Sequence, residues 1–161
     1  MVKVVPFAAP HQAGVLALIL PIQQTEFAIP ITAADQPDLQ TIENFYQQGC
    51  GNFWVALEDD AVIGSIALLD IGGSQAALRK MFVRADRRGP ALGVAAQLLA
   101  ALLSWAKEKT VREVYLGTTA QFLAAHRFYE KHGFTAVSRA TLPPAFPVMT
   151  VDSVFYRYSL A

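Results

Sequence analysis

The chain has 161 residues, 53% hydrophobic and 16% charged, with a mean hydropathy of +0.32. That is one domain's length and an ample core supply, which excludes disorder as the default state. Lys+Arg 13 balance Asp+Glu 13, which excludes a net field able to hold nucleic acid or an anionic membrane non-specifically, and the lone Cys50 excludes a disulfide framework or a multi-cysteine metal site.

In chain order, residues 2–7 predict a strand and residues 10–20 a helix, with Pro21 as its stop. Residues 25–34 have no period and read as a loop. Leu39, Ile42, Phe45 and Tyr46 recur at helical steps, predicting a second helix over 35–48 that ends at Gly49. Runs at 53–57, 62–69 and 76–83 predict three antiparallel strands joined by short turns. A Gly/Pro/Arg loop over 84–93 leads to a helix reaching Lys109, apolar nearly all round and so expected to be buried on a sheet. A strand over 113–117, a helix over 120–132 stopped by Gly133, and strands over 134–139 and 153–160 complete the chain.

The order is β-α-α-β-β-β-α-β-α-β-β. It predicts an α/β (α+β) fold: a mixed, mostly antiparallel sheet of about seven strands with helices on both faces, in a single domain over 1–161. The strands at 76–83 and 113–117 should pair in parallel, with the intervening helix as their crossover. The apolar run 15–21 is too short to span a bilayer, which takes about 20 residues. The run 94–106 is interrupted by Gln97 and Ser104. No small-residue cleavage site follows Leu20. A cytoplasmic protein without membrane association is expected.

The segment from Met81, Phe82 and Val83 through Arg84, Arg87, Arg88, Gly89, Pro90, Ala91, Leu92, Gly93 and Val94 is the most informative. It is a strand, a basic glycine turn and a helix start. Unpaired N–H groups and the helix dipole favour an anion there. On the residues alone, anion binding and an ordinary strand–helix connection with exposed arginines stand level.

This loop and the element order resemble the GNAT superfamily of acyl-CoA-dependent N-acetyltransferases over almost the whole chain. The family's pyrophosphate loop, Arg/Gln-x-x-Gly-x-Gly/Ala, stands here as Arg88 to Gly93. Ala91 replaces the central glycine, and Pro90 lacks a backbone donor. Residues 125–134, from Ala125, His126 and Arg127 through Phe128, Tyr129 and Glu130 to Gly133-Phe134, are similar to the family's Ala-x-x-Phe/Leu-Tyr-Glu-Lys-x-Gly-Phe signature. The usual asparagine three places before the alanine is Phe122 here, with Thr118, Thr119 and Gln121 as polar neighbours. Residues 116–119 and 146–152 look like a bacterial branch of these proteins.

The resemblance implies acetyl-CoA as acyl donor, a primary amine of a small molecule or peptide as acceptor, no metal, and a homodimer. It implies that the donor is held by Met81, Phe82, Val83, Arg88 through Val94, Thr118, Ala125, His126, Phe128 and Tyr129. An N–H of the 81–83 stretch would serve the oxyanion, and Tyr129 would protonate the departing sulfur. From the residues alone, Tyr129 and Phe128 also read as core aromatics; the surrounding signature favours the catalytic role for Tyr129.

The strand before the loop carries no acid that could act as base. Glu26, Asp35, Asp152 and a water chain stay open for that part. Acids beside aromatics and prolines in 25–38 and 142–156 predict an acceptor pocket with Glu26 and Asp152 in its lining. His126, His11, His132 and Cys50 read as packing or surface residues. Two other classes stand beside the enzyme: a non-catalytic acyl-CoA-binding module, and a nucleic-acid module using Arg79, Lys80, Arg84, Arg87 and Arg88. The balanced charge and lack of interleaved aromatics disfavour the second.

Overall fold

Three strands make the centre of the molecule: β2 (Asn52–Glu58), β3 (Ala61–Gly72) and β4 (Gln75–Val83). β2 is buried at six of its seven positions, because helices cover both faces of the sheet and apolar residues on either side are both taken out of water. The computed structural model describes residues 1–160. Around this centre lie β1 (Val2–Pro6), α1 (Gln12–Pro21), α2 (Pro37–Gln40), α3 (Ile42–Phe45), α4 (Val94–Glu108), β5 (Glu113–Thr118), α5 (Leu123–Lys131), β6 (Thr135–Val137) and β7 (Val154–Ser159).

The sheet runs β1-β2-β3-β4-β5-β7-β6. Neighbours are antiparallel except β4 and β5, which are parallel. The predicted seven-stranded mixed sheet and its parallel pair are therefore present. The parallel pair is short. Gln75, Ala76 and Ala77 face Glu113, Val114 and Tyr115, and there the ladder ends. β4 also carries one residue more than β3 between Phe82 and Arg79, opposite Ser65 and Ala67. That bulge centres on Lys80, held at φ +53°, with Ser65 Oγ donating to its carbonyl at 2.7 Å. A bulge bends its strand, and here the bend coincides with the parting of β4 from β5.

α4 packs Val94, Leu98, Leu99, Leu102 and Ala106 on one face of the sheet, against Ile66, Leu68, Val114 and Tyr156. Trp54 and Trp105 meet there edge to face at 6.1 Å. On the other face α1 and the two short helices bury Val15, Ile19, Leu39 and Ile42 against Phe53 and Val55. A smaller third cluster, Ala77, Tyr115, Phe146 and Phe155, lies under the last long loop.

Several expectations change. The first helix does not stop at Pro21. It loses one N–H there and widens into a π-turn over Ile22–Glu26, in which Phe27 N–H reaches back to Ile22 at 3.1 Å. The helix expected over 35–48 is two single turns split at Thr41. That residue leaves the helical region (φ −137°, ψ 50°), and its hydroxyl bonds the Pro37 carbonyl at 3.0 Å. Asp35 lies ahead of both turns; its carboxylate takes the Thr32 N–H and hydroxyl, each at 3.0 Å. α4 is not buried all round: Gln97, Ala100, Ser104 and Lys107 form an exposed stripe at helical spacing. α5 begins at Leu123, after a turn in which Phe122 N–H bonds Thr119. β6 is three residues long, because the chain turns into a 3-10 turn at Arg139–Thr141.

Gly51 marks the tightest approach in this frame. A Cβ there would press into the Tyr46 carbonyl oxygen and stand 2.7 Å from that of Leu68. Backbone cannot swing aside as a side chain can, so Gly51→Ala should lower stability by about 1–3 kcal/mol, as overpacking does. Gly14→Ala, whose Cβ would meet side-chain atoms of Val62, should lower it less. Denaturant midpoints at constant slope decide the order.

Candidate active site

Where β4 and β5 part, a cleft of about 220 Å³ opens. Residues 78–82 of β4 and 116–118 of β5, with Thr119 just beyond, line it, as do Tyr129 of α5 and residues drawn from 146–152 and 27–31. Past Ala77, the edge of β4 that faces β5 has no ladder partner. Backbone donors there are free for a ligand, which otherwise would be an unusual state for half-buried backbone.

The glycine loop stands at the head of α4. Gly89 is at φ +110° and Gly93 at φ +64°, backbone regions that suit glycine. Ala91 is not in a positive-φ conformation, so alanine in place of the central glycine carries no backbone strain. The amides of Gly89, Ala91, Leu92, Val94, Ala95 and Ala96 make no hydrogen bond to the protein among the described residues. A Cβ at Gly89 would meet nothing within 4 Å. The result is a cradle of free donors facing open space, aligned with a 15-residue helix, and it fits a phosphate-bearing ligand.

The three arginines of the loop each have an acid. Arg84 Nε holds Asp86 at 2.7 Å, and Arg87 Nε holds Glu58 at 2.6 Å. Arg88 grips Glu26 with both terminal nitrogens, Nη2 to Oε1 at 2.7 Å, and its Nε donates to the Val83 carbonyl at 2.8 Å. The hydrogen bond from Arg88 holds the Glu26 carboxyl below its ordinary range. Glu26 and Asp152 are therefore not brought together. Glu26 sits on the loop arginine and faces a separate groove beside α1, whereas Asp152 lines the cleft.

Met81 and Phe82 line the cleft, as do Thr118, Ala125 and Tyr129. His126 and Phe128 do not: His126 Nε2 is 2.8 Å from the Thr119 carbonyl, and Phe128 packs on Tyr129 and His132. The Tyr129 ring is buried among Phe134 and Tyr156. Burial alone pushes its phenol above the usual range, with no charge or hydrogen-bond partner acting on it. The hydroxyl is thus a protonated, uncommitted donor at the cleft. Thr119 Oγ1, also at the cleft, is buried without a hydrogen-bond partner. Asp152 Oδ2 accepts the Met149 N–H at 2.9 Å and lies against Gly117, where a Cβ would come within 2.6 Å of it. Burial raises the Asp152 carboxyl above its ordinary value, the Met149 N–H and the Arg79 charge opposing.

Beneath the cleft lies a polar network that sequence reasoning missed. Lys80 Nζ donates to Gln36 Oε1 at 2.7 Å and is 3.6 Å from Asp38 Oδ2. Tyr46 donates to that same carboxylate oxygen at 2.6 Å. Gln23 and Gln36 exchange amide hydrogen bonds at 2.8 and 3.0 Å. Burial lowers the Lys80 pKa, with Asp38 pulling the other way. The only signal in the sequence was a lysine in an apolar strand. The Cys50 thiol, pushed up to about 11 by burial and then by the Asp70 charge, is not a nucleophile at neutral pH. No cluster of three or more His, Cys, Asp or Glu side chains is placed to hold a metal among the described residues. Among the described residues no helix is long and apolar enough to cross a membrane.

Comparison with known proteins follows the same outline. Residues 17–134 match the model of the acetyltransferase (GNAT) family. A crystal structure of a GNAT-family acetyltransferase from Staphylococcus aureus Mu50 superposes with a TM-score of 0.95 at 34% identity, over 100% of both chains. N-acetylaspartate synthetase of Rattus norvegicus is 34% identical over 149 residues, covering 90% of this chain and 49% of that protein. The chain spans about half or less of the length of the curated relatives it matches. A PaiA N-acetyltransferase from Thermoplasma acidophilum, crystallised in complex with coenzyme A, shares the fold at TM-score 0.75 and 14% identity, over 99% of both chains.

The burial of Asp152 has a consequence for stability. Its folded pKa lies above the unfolded one, so the folded state binds the extra proton and wild-type stability falls as pH rises through that window. Asp152→Asn removes the charge and keeps an acceptor for Met149. Relative to wild type, the variant should therefore gain stability at pH 7 compared with pH 3. Melting curves at the two pH values test this; an equal difference at both would show that the carboxylate is not held out of water.

Proposed function

The chain belongs to the GNAT family of acetyltransferases, and from that membership we propose that it moves the acetyl group of acetyl-CoA to a primary amine of a small molecule or peptide. One observation carries the proposal: the chain combines unpaired amides at the head of α4 with a cleft between two parted parallel strands, and an uncommitted phenol stands at that cleft. The likeness to proteins named N-acetylaspartate synthetase supports N-acetylation as the reaction.

In this reading the donor's pyrophosphate rests on the free amides among residues 89–96, and Arg88 adds charge once it shares or leaves Glu26. The acyl arm runs along the free edge of β4, where an N–H of the Met81–Val83 stretch holds the carbonyl oxygen as it gains charge. The amine nitrogen attacks the thioester carbon; its N–C bond forms and the C–S bond breaks. A primary amine is mostly protonated at neutral pH, with a pKa near 10. Asp152, in the cleft and raised by burial, takes the proton. Tyr129 gives a hydrogen bond and then its proton to the departing sulfur. That transfer is uphill, from a phenol above about 10 to a thiolate near 8.5, so it depends on positioning. Glu26 serves the anion loop rather than the acceptor. The cytoplasmic location and the homodimer expected from the sequence remain part of the proposal.

The test is thiol release from acetyl-CoA across polyamines, amino acids, aminoglycosides and peptide N-termini. Turnover with an amine supports the reading, whereas binding without turnover on any amine would make the protein an acyl-CoA-binding module. Two variants separate the parts. Gly89→Val should abolish the rise in melting temperature caused by acetyl-CoA, because a β-branched residue is strained at φ +110° and the cradle must move. A folded variant with unchanged affinity would remove the loop from the binding site. Tyr129→Phe should lower kcat by about 10²–10⁴-fold with acetyl-CoA affinity kept, the usual contribution of general acid catalysis. Unchanged turnover would leave Tyr129 a packing residue.

A further inference from the structure

Resting on the acetyltransferase reading, we infer that the acceptor is an amine that also bears a carboxylate, held by Arg79: a free amino acid rather than a simple amine or an amide.

The charged side chains lining the cleft are Arg79, Lys80 and Asp152. Two of the three are accounted for. The Lys80 side chain is 8% exposed and has Asp38 at 3.6 Å and Gln36 at 2.7 Å. Asp152 has the Met149 N–H and stands where an arriving ammonium can give up its proton. Arg79 is different. Among the described residues no carboxylate lies within 4.0 Å of it. Among the described residues its one side-chain hydrogen-bonding contact is Nη2 to the Met149 sulfur at 3.6 Å, and a thioether is a weak acceptor. Its guanidinium carbon is 5.9 Å from the ring centres of both Phe45 and Tyr46. Aromatic faces steady a guanidinium but do not satisfy five N–H donors arranged as a planar fork. That fork matches the two oxygens of a carboxylate.

The two charges, linked through one residue, suit one zwitterion. Met149 stands between the two charges: its sulfur meets Arg79 and its N–H meets Asp152. Arg79 and Asp152 both line the cleft of about 220 Å³ and make no ion pair within 4.0 Å of each other. An acceptor with its ammonium toward Asp152 and its carboxylate on Arg79 bridges that gap. Charge balance points the same way. Arg79 and Lys80 cancel Asp38 and Asp152, so a simple ammonium adds an uncompensated positive charge to a confined space, whereas a zwitterion adds none.

The experiment uses matched acceptors with acetyl-CoA and thiol release: glycine, L-alanine, L-serine, L-aspartate and L-glutamate, each beside its α-carboxamide, with ethylamine as the bare amine. The amides have the less basic nitrogen, so chemistry alone favours them. The inference expects the free acids to be better substrates in kcat/KM by about 10- to 100-fold, the span that follows from one charge-assisted hydrogen-bonding contact. Arg79→Gln should raise KM for the acids by a similar factor, leave the acetyl-CoA KM alone and raise KM for the amides far less, so that the acid-to-amide ratio collapses; Arg79→Lys should recover part of the loss. Should Arg79→Gln fail to fold, the wild-type acid-to-amide ratio and Arg79→Lys still decide. Amides used as well as acids, or an Arg79 variant with wild-type KM for the acids, would overturn the inference and leave the acetyltransferase reading standing. No turnover of any acceptor would overturn both.

Discussion

The parting of β4 from β5 after three paired residues is the constraint on which the rest of this molecule depends. A parallel ladder continued past Ala77 and Tyr115 would satisfy both backbones and leave no room between them. The extra residue at Lys80 bends β4 away instead. Lys80 holds a left-handed conformation that a long side chain rarely adopts. Its surroundings hold it there from both ends: Ser65 takes the backbone carbonyl, and Asp38 and Gln36 take the ammonium. The polar network beneath the cleft is thus the support of the bulge, and the bulge is what opens the cleft. The conformation is maintained because the alternative would leave a buried ammonium unpaired.

Much of the fold was legible because it follows from chain order. Three strands with tight turns must lie antiparallel, and a strand–helix–strand step must return in parallel, so the seven-stranded mixed sheet follows from the pattern of apolar runs. The loop at 84–93 was legible for a related reason: glycines at Gly89 and Gly93 declare backbone conformations that other residues avoid. Ala91, a departure from the resemblance, occupies a conformation open to any residue, which explains why alanine can stand there.

What was not legible depends on partners far apart in the chain. Glu26 is 62 residues from the arginine it meets, and nothing near it in sequence announces that arginine. Read locally, it is an acid beside aromatics and prolines. Asp38, Tyr46 and Lys80 likewise form one network only after α3 has been laid across the sheet. The break at Thr41 was hidden because the apolar spacing of Leu39, Ile42, Phe45 and Tyr46 survives a change of helix axis. Periodicity reports which residues are buried, not whether the backbone between them is continuous.

The placement of the two tryptophans has a practical meaning for optical work. Trp54 and Trp105 touch each other in the core between β2 and α4, and neither lines the cleft. Emission from this protein is therefore a gauge of how α4 sits on the sheet, and no indole is quenched by direct contact with a ligand in the cleft. The far end of α4 offers the one lever: its first turn carries the free amides, while the Trp105 indole N–H is anchored on the Cys50 carbonyl at 2.9 Å near its last. A fluorescence change on adding an anion would then measure a shift transmitted along the rigid rod of that helix, a displacement signal read about three turns from its source.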